Sequence, residues 1–276
     1  MEVRYSRDPQ NFERMNTSEI RDEFLIANLF TPNDIKLVYL HIDRMIVGTA
    51  VPASYPLHLE AGAELKASYF AERREIGVFN IGDQGGVTVD GQEYKMAYRD
   101  MLYIGRGSQE ITFSSVDANR PARFYIVSLP AHKQYPTAHT PQNQANRVDL
   151  GSKEASNERT IFQYIHEGGV PSCQLVMGFT ELAVGSVWNT MPAHTHERRS
   201  EVYMYFNLAD NNVVFHLMGQ PQETRHIVVR DGQVAISPSW SIHAGSGTSN
   251  YCFVWAMGGE NQAFTDMDPA PLNEIA

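Results

Sequence analysis

From Lys36 onward the apolar segments are short and rich in Val, Ile, Tyr and Phe, and turn residues separate them at intervals of roughly ten residues. Such segments occupy residues 37–40, 76–79, 101–104, 123–127 and 173–177, then 201–206, 213–218, 226–229 and 251–256. Strands this short hide their apolar faces only by stacking or closing, so the fold class is mainly β, a sandwich or barrel. Asp90-Gly91 and Asp231-Gly232 read as hairpin turns with positive φ at the glycine. One amphipathic helix stands out early. Asn16-Thr17-Ser18-Glu19 has the form of a capping box, with Ile20, Phe24 and Ala27 at helical spacing behind it.

At about 150 residues per domain, 276 residues make two domains or one large β domain. A weak repeat favours two. Glu72-Arg73-Arg74-Glu75-Ile76 is echoed by Glu197-Arg198-Arg199-Ser200-Glu201-Val202, and residues 99–110 by 232–243. The offsets of 125 to 133 residues are those of two similar barrels in tandem. Residues 130–158, rich in Pro, His, Thr, Asn and Gln and without periodicity, read as surface linker. The expected organisation is a first barrel with the helix at 1–135, a linker at 136–158 and a second barrel at 159–276.

Lys and Arg number 22 against 32 Asp and Glu, a net charge of −10 without basic blocks, which argues against nucleic acid or an anionic membrane as partner. No apolar run approaches the ~18 residues of a membrane span, and residues 1–8 lack the apolar stretch of a signal peptide. Cys173 and Cys252 make no disulfide framework. A soluble, cytoplasmic protein is expected.

The sharpest chemical signal is His194-Thr195-His196, with Glu201 five positions on and His243 later. Residues i and i+2 of a strand share a face, so His194 and His196 can grip one ion from one side. The odd step to Glu201 requires residues 197–200 to turn or bulge. Three imidazoles and a carboxylate suit one divalent ion per chain, Zn, Fe, Mn or Ni.

His194-Thr195-His196-x4-Glu201 and Gly232-x5-Pro238-Ser239-Trp240-Ser241-Ile242-His243 resemble the two signature motifs of the cupin superfamily, with Trp240 where a glycine is usual. Residues 189–199, 218–226, 237–243 and 39–44 are together similar to the family of 5-keto-4-deoxyuronate isomerases. The resemblance implies a bicupin of two double-stranded β-helix barrels, usually hexameric. It further implies a zinc ion on His194, His196, Glu201 and His243, and aldose–ketose isomerisation of a deoxy-keto-uronate in pectin and uronate breakdown. Three other functions stay open, a 5-deoxyglucuronate isomerase of inositol catabolism, a cupin dioxygenase using the same ligands with Fe(II), and a non-enzymatic sugar-binding cupin.

Such a reaction moves a proton between carbons 1 and 2 and so needs a general base, with Glu223 and His226 as candidates and Tyr203 behind them. The substrate's carboxylate invites an arginine fork, for which Arg225, Arg199 and Arg198 lie nearest the motifs. In the first half Glu75 and Glu110 fall where Glu201 and His243 would, but without imidazoles, so that half is expected to hold no transition metal.

Overall fold

The computed structural model describes residues 1–263 and 265–276. Two compact units emerge: Met1–Tyr5, Leu29–Ala145 and Tyr164–Val176 form the first, and Ser6–Asn28, Asn146–Gln163 and Met177–Ala276 the second.

In the first unit, the seven-stranded sheet runs Glu2–Arg4, Ile35–Leu40, Ile46–Ala50, Phe124–Pro130, Arg74–Asn80, Met101–Ile104, Ala138–Thr140 in spatial order. Its four-stranded sheet runs Leu57–His58, Ile111–Ser115, Gly85–Val89, Gln92–Met96. Ile76, Val78 and Ile126 of the larger sheet and Val87, Ile111 and Phe113 of the smaller belong to one buried cluster, so the sheets close on a shared core.

The second unit repeats the plan. Asn146–Leu150, Arg159–Ile165, Val176–Leu182, Cys252–Gly259, Arg199–Phe206, Val234–Ser237 and Leu25–Ile26 form the larger sheet. Trp188–Asn189, Ala244–Gly247, Val214–Gln220 and Glu223–Val229 form the smaller. The mainly β expectation holds, and the same strand plan occurs in both halves.

Several expectations need correction. The capping box is present, Asn16 accepting from Ser18 and Glu19 while Glu19 accepts from the Asn16 N–H, but the helix is Thr17–Phe24 and excludes Ala27. It stops because Leu25 and Ile26 turn to pair with Ala235 and Val234 of the second unit's sheet. The helix therefore packs with the second unit, not the first. Its Phe24, and Phe12 before it, lie 6.3 and 5.3 Å ring to ring from Trp240. The indole at the glycine position of the motif thus packs against two buried phenyl rings while staying partly exposed itself.

The segment expected as linker supplies two strands. Ala138–Thr140 pairs with Met101–Tyr103, and Asn146–Leu150 pairs with Arg159–Gln163. Asn146–Leu150 is mostly exposed, which is why its sequence carries so little apolar periodicity. Asp90-Gly91 is a two-residue hairpin with φ of 49° and 83°. Asp231-Gly232 instead links strands of two different sheets, with positive φ only at Gly232. Residues 173–175 precede the strand Val176–Leu182 rather than forming one.

Candidate metal centre and cavity

His194 and Thr195 form a two-residue strand paired with Asp268–Pro269. A turn closed by Arg199 N–H donating to the His196 carbonyl then brings the chain into the strand Arg199–Phe206. That turn resolves the odd spacing, since it resets the face on which Glu201 emerges. His243 lies just before the strand Ala244–Gly247, after the turn in which Ser241 N–H donates to the Pro238 carbonyl.

The four side chains converge. His196 Nε2 is 2.9 Å from one Glu201 oxygen, His243 Nε2 is 3.7 Å from the other, and the Nε2 atoms of His243 and His194 are 3.1 Å apart. Ligand atoms about 2.0–2.1 Å from one ion lie about 2.9 Å apart at right angles and about 3.4 Å apart at the tetrahedral angle, so these separations suit a common centre. Among the described residues, His194, His196 and His243 are the one group of three such side chains with ligand atoms within 4.8 Å of each other.

The charge state also fits. Burial pushes His194 down to about 3, helped by His243 beside it, and burial likewise pushes His243 down to about 4. Burial alone would raise Glu201, but the surrounding histidines hold it well below the usual carboxylate range. Near neutral pH the site therefore offers imidazole lone pairs and one anionic oxygen ligand.

His196 supplies the most direct test of whether the residues suit an ion. Its Nδ1 faces the Asp266 carbonyl, with Arg199 Nη2 also 3.2 Å away; in the tautomer that donates to the carbonyl, the lone pair is on Nε2. That Nε2 is buried 2.9 Å from a Glu201 oxygen, and in the same tautomer it has no proton to give that oxygen. A buried imidazole nitrogen with an unused lone pair is costly unless something accepts it, and a metal ion does.

His194, His196 and Glu201 line a cavity of about 160 Å³. Its wall comes from strand faces at period 2: Arg199, Glu201 and Tyr203 from one strand, and Phe253, Trp255 and Met257 from its neighbour. Arg159 and Ile161 come from a third strand, and Leu150 from the segment read as linker. Burial, with the Glu201 carboxylate next in effect, holds the Tyr203 phenol well above its ordinary value, so it is a proton donor near neutral pH and not a base.

The other expected site residues fare differently. Arg199 lines the cavity, but its guanidinium donates to the carbonyls of Ala263 and Asp266. Arg198 points outward, half exposed, and pairs with Asp266 at 3.2 Å. Glu223 and Arg225 pair with each other at 2.5 Å on the strand Glu223–Val229, and Arg225 also donates to the Glu13 carbonyl. His226 on that strand is exposed, its ring 5.8 Å from that of Phe215. None of Glu223, Arg225 and His226 lines the cavity. They lie on the edge strand of the smaller sheet, away from the side chains that line the cavity.

Sequence reasoning missed Arg159, which sits at a strand start with Ile161 two residues on; that alternation was the available signal. It also missed His216. This imidazole is fully buried, with Nδ1 2.8 Å from the Tyr205 hydroxyl and Nε2 3.3 Å from Ser237 Oγ.

In the first unit, Glu110 is exposed beside the Asp90 turn, whose carboxylate accepts its N–H. Glu75 is fully buried and accepts four hydrogen bonds, from the Tyr103 hydroxyl (2.8 Å) and the N–H groups of Cys173 (2.7 Å), Gln174 (2.8 Å) and Leu175 (2.9 Å).

Comparison with known proteins places this geometry in context. The protein from Lachnoclostridium phytofermentans named 4-deoxy-L-threo-5-hexosulose-uronate ketol-isomerase is 54% identical over 275 residues, covering 100% of both chains. A protein of the same name from Formosa agariphila is 52% identical over 99% of this chain and 98% of its own. Among solved structures, an IolB-like protein from Salmonella typhimurium superposes with a TM-score of 0.69 at 11% identity, covering 87% of this chain and 94% of that one. Oxalate decarboxylase from Lactobacillus farciminis does so with a TM-score of 0.57 at 10% identity, covering 90% of each. At those identities the structures speak for the fold alone. A family model described as KduI/IolB matches residues 25–271. By that match and by its full-length relatives, the chain belongs to the KduI/IolB family.

Proposed function

We propose that this chain is a ketol-isomerase acting on 4-deoxy-L-threo-5-hexosulose uronate, the activity for which its full-length relatives are named. The observation that carries the reading is the convergence of three imidazoles and one carboxylate in the second unit, with His194, His196 and Glu201 lining a cavity. His194, His196, Glu201 and His243 are the proposed ligands of one divalent ion, and zinc is the ion we assign, on the donor set and the family resemblance. A bound divalent ion polarises the carbonyl and stabilises the charge that develops when the C2 proton leaves, worth several kcal/mol.

The protein's own groups do the rest. Glu201 supplies negative charge, and the Asp266 carbonyl holds the His196 ring in the tautomer whose Nε2 faces the centre. The protonated Tyr203 phenol can donate to a substrate oxygen from the same strand face as Glu201. Phe253, Trp255 and Met257 exclude water from the reacting carbons. A hexameric assembly and a cytoplasmic location, also part of this reading, rest on the resemblance. No helix among the described residues is long and apolar enough to cross a membrane.

The test is turnover. Purified protein incubated with the 5-keto uronate and followed by NMR should convert the aldehyde end to the ketose, and chelation should stop it. Binding without conversion would favour a sugar-binding cupin. Faster conversion of 5-deoxyglucuronate would favour the inositol-pathway activity.

A further inference from the structure

Two cations line the cavity, and they differ in what they already hold. Arg199 donates from Nη1 to the Ala263 carbonyl and from Nη2 to the Asp266 carbonyl, with Nη2 also 3.2 Å from His196 Nδ1, so its side-on edge is already engaged. Arg159 donates from Nη1 to the Asn157 carbonyl at 2.9 Å and, among the described residues, makes no ion pair. Its Nε is buried without a hydrogen-bond partner. Nε and Nη2 form one edge of the guanidinium, the edge that grips a carboxylate side-on through two parallel hydrogen bonds. Burial pulls this guanidinium below its ordinary pKa, with the Tyr251 and Tyr203 hydroxyls offsetting part of the effect. A desolvated cation with a vacant fork is what an anionic ligand would complete.

Placement adds to this. In the larger sheet the Arg159 strand lies three neighbours from the Glu201 strand, about 14 Å between strand axes, with both side chains reaching into the same cavity. Side chains from both strands narrow that gap, and because they line one cavity an open-chain acid bound there can meet the imidazoles at one end and the arginine at the other. The geometry points to Arg159 as the positioning residue that binds the substrate's carboxylate through its Nε–Nη2 edge, selecting sugar acids over neutral sugars. This rests on the isomerase reading for its substrate, but the cation itself predicts uronate binding with or without turnover.

The experiment compares wild type, Arg159→Gln, Arg159→Lys and Arg225→Lys, each metal-loaded, with metal content and thermal melting as controls. Arg159→Gln should lower kcat/KM for the 5-keto uronate by about 30-fold to several hundred-fold, mostly through KM, with metal content unchanged. Arg159→Lys should fall between, because an ammonium keeps the charge and loses the fork. Arg225→Lys should match wild type. By calorimetry, D-glucuronate should bind the wild type and not Arg159→Gln, while D-glucose should bind neither. If Arg159→Gln and Arg159→Lys, folded and metal-loaded, both stay within about threefold of wild type, the inference is overturned. Should wild type turn over no uronate yet bind glucuronate only when Arg159 is present, the isomerase reading fails and this one stands.

Discussion

Glu75 and Glu201 sit on corresponding strands of the two units, Arg74–Asn80 and Arg199–Phe206, and both are buried, at 0% and 3% exposure. They are not in register, contrary to the sequence expectation: Ile76 and Val78 face the first unit's core as Glu201 and Tyr203 face the second unit's cavity, so Ile76 takes the Glu201 position and Glu75 points to the opposite face of its sheet. Their neighbours make them different objects. Glu75 meets four proton donors, three of them backbone N–H groups that have no other conformation to offer. Glu201 meets three imidazoles, two of them held neutral by burial and the third with its Nδ1 facing the Asp266 carbonyl. A carboxylate saturated by hydrogen bonds is a structural acceptor, and one facing unprotonated lone pairs is a ligand in waiting. Burial of an acid therefore identifies neither role; the protons around it do.

The largest effect that could break this contrast is on activity. His196→Ala or Glu201→Gln should cost at least about 10³-fold in kcat together with most of the bound metal, read by steady-state kinetics and metal analysis. Next comes Glu75→Ala, which strands four donors in a buried site and should destabilise by about 3–5 kcal/mol in denaturant unfolding. Metal content in the folded fraction should not change. A folded Glu75→Ala protein lacking metal would merge the two roles.

His216 sharpens the comparison by pH. Burial holds this imidazole at about 3, against about 6.5 when unfolded, so the unfolded chain binds the extra proton between those values. Its contribution is complete above pH 6.5 and is lost as pH falls toward 3, with a slope of about 1.4 kcal/mol per pH unit. His216→Gln should flatten the acid limb of stability against pH by about one proton; an unchanged slope would contradict its burial as a neutral ring. Smallest is Tyr103→Phe, which removes one of the four Glu75 donors and should cost about 1–3 kcal/mol without altering kcat.

How much of this was legible in the sequence follows from where the partners lie. His194 and His196 could be paired from their spacing, because period-2 geometry is local, and His243 from its motif. Trp240 looked like a defect in that motif until Phe12 and Phe24, more than two hundred positions earlier, supplied its seat. Arg225 seemed near the site because it is near in sequence, but its strand lies in the other sheet. His216 showed no partner spacing, since Tyr205 and Ser237 reach it from the facing sheet. The four donors of Glu75 were equally hidden, because three are backbone groups that no side-chain pattern encodes.

The central claim, that of these two buried carboxylates Glu201 is a ligand and Glu75 a structural acceptor, is tested most directly by metal stoichiometry. Wild type, Glu201→Gln and Glu75→Gln, each purified folded and equilibrated with excess zinc before desalting, should carry about one, none and one ion per chain. Two ions in the wild type, or loss of the ion from Glu75→Gln with retention in Glu201→Gln, would contradict it.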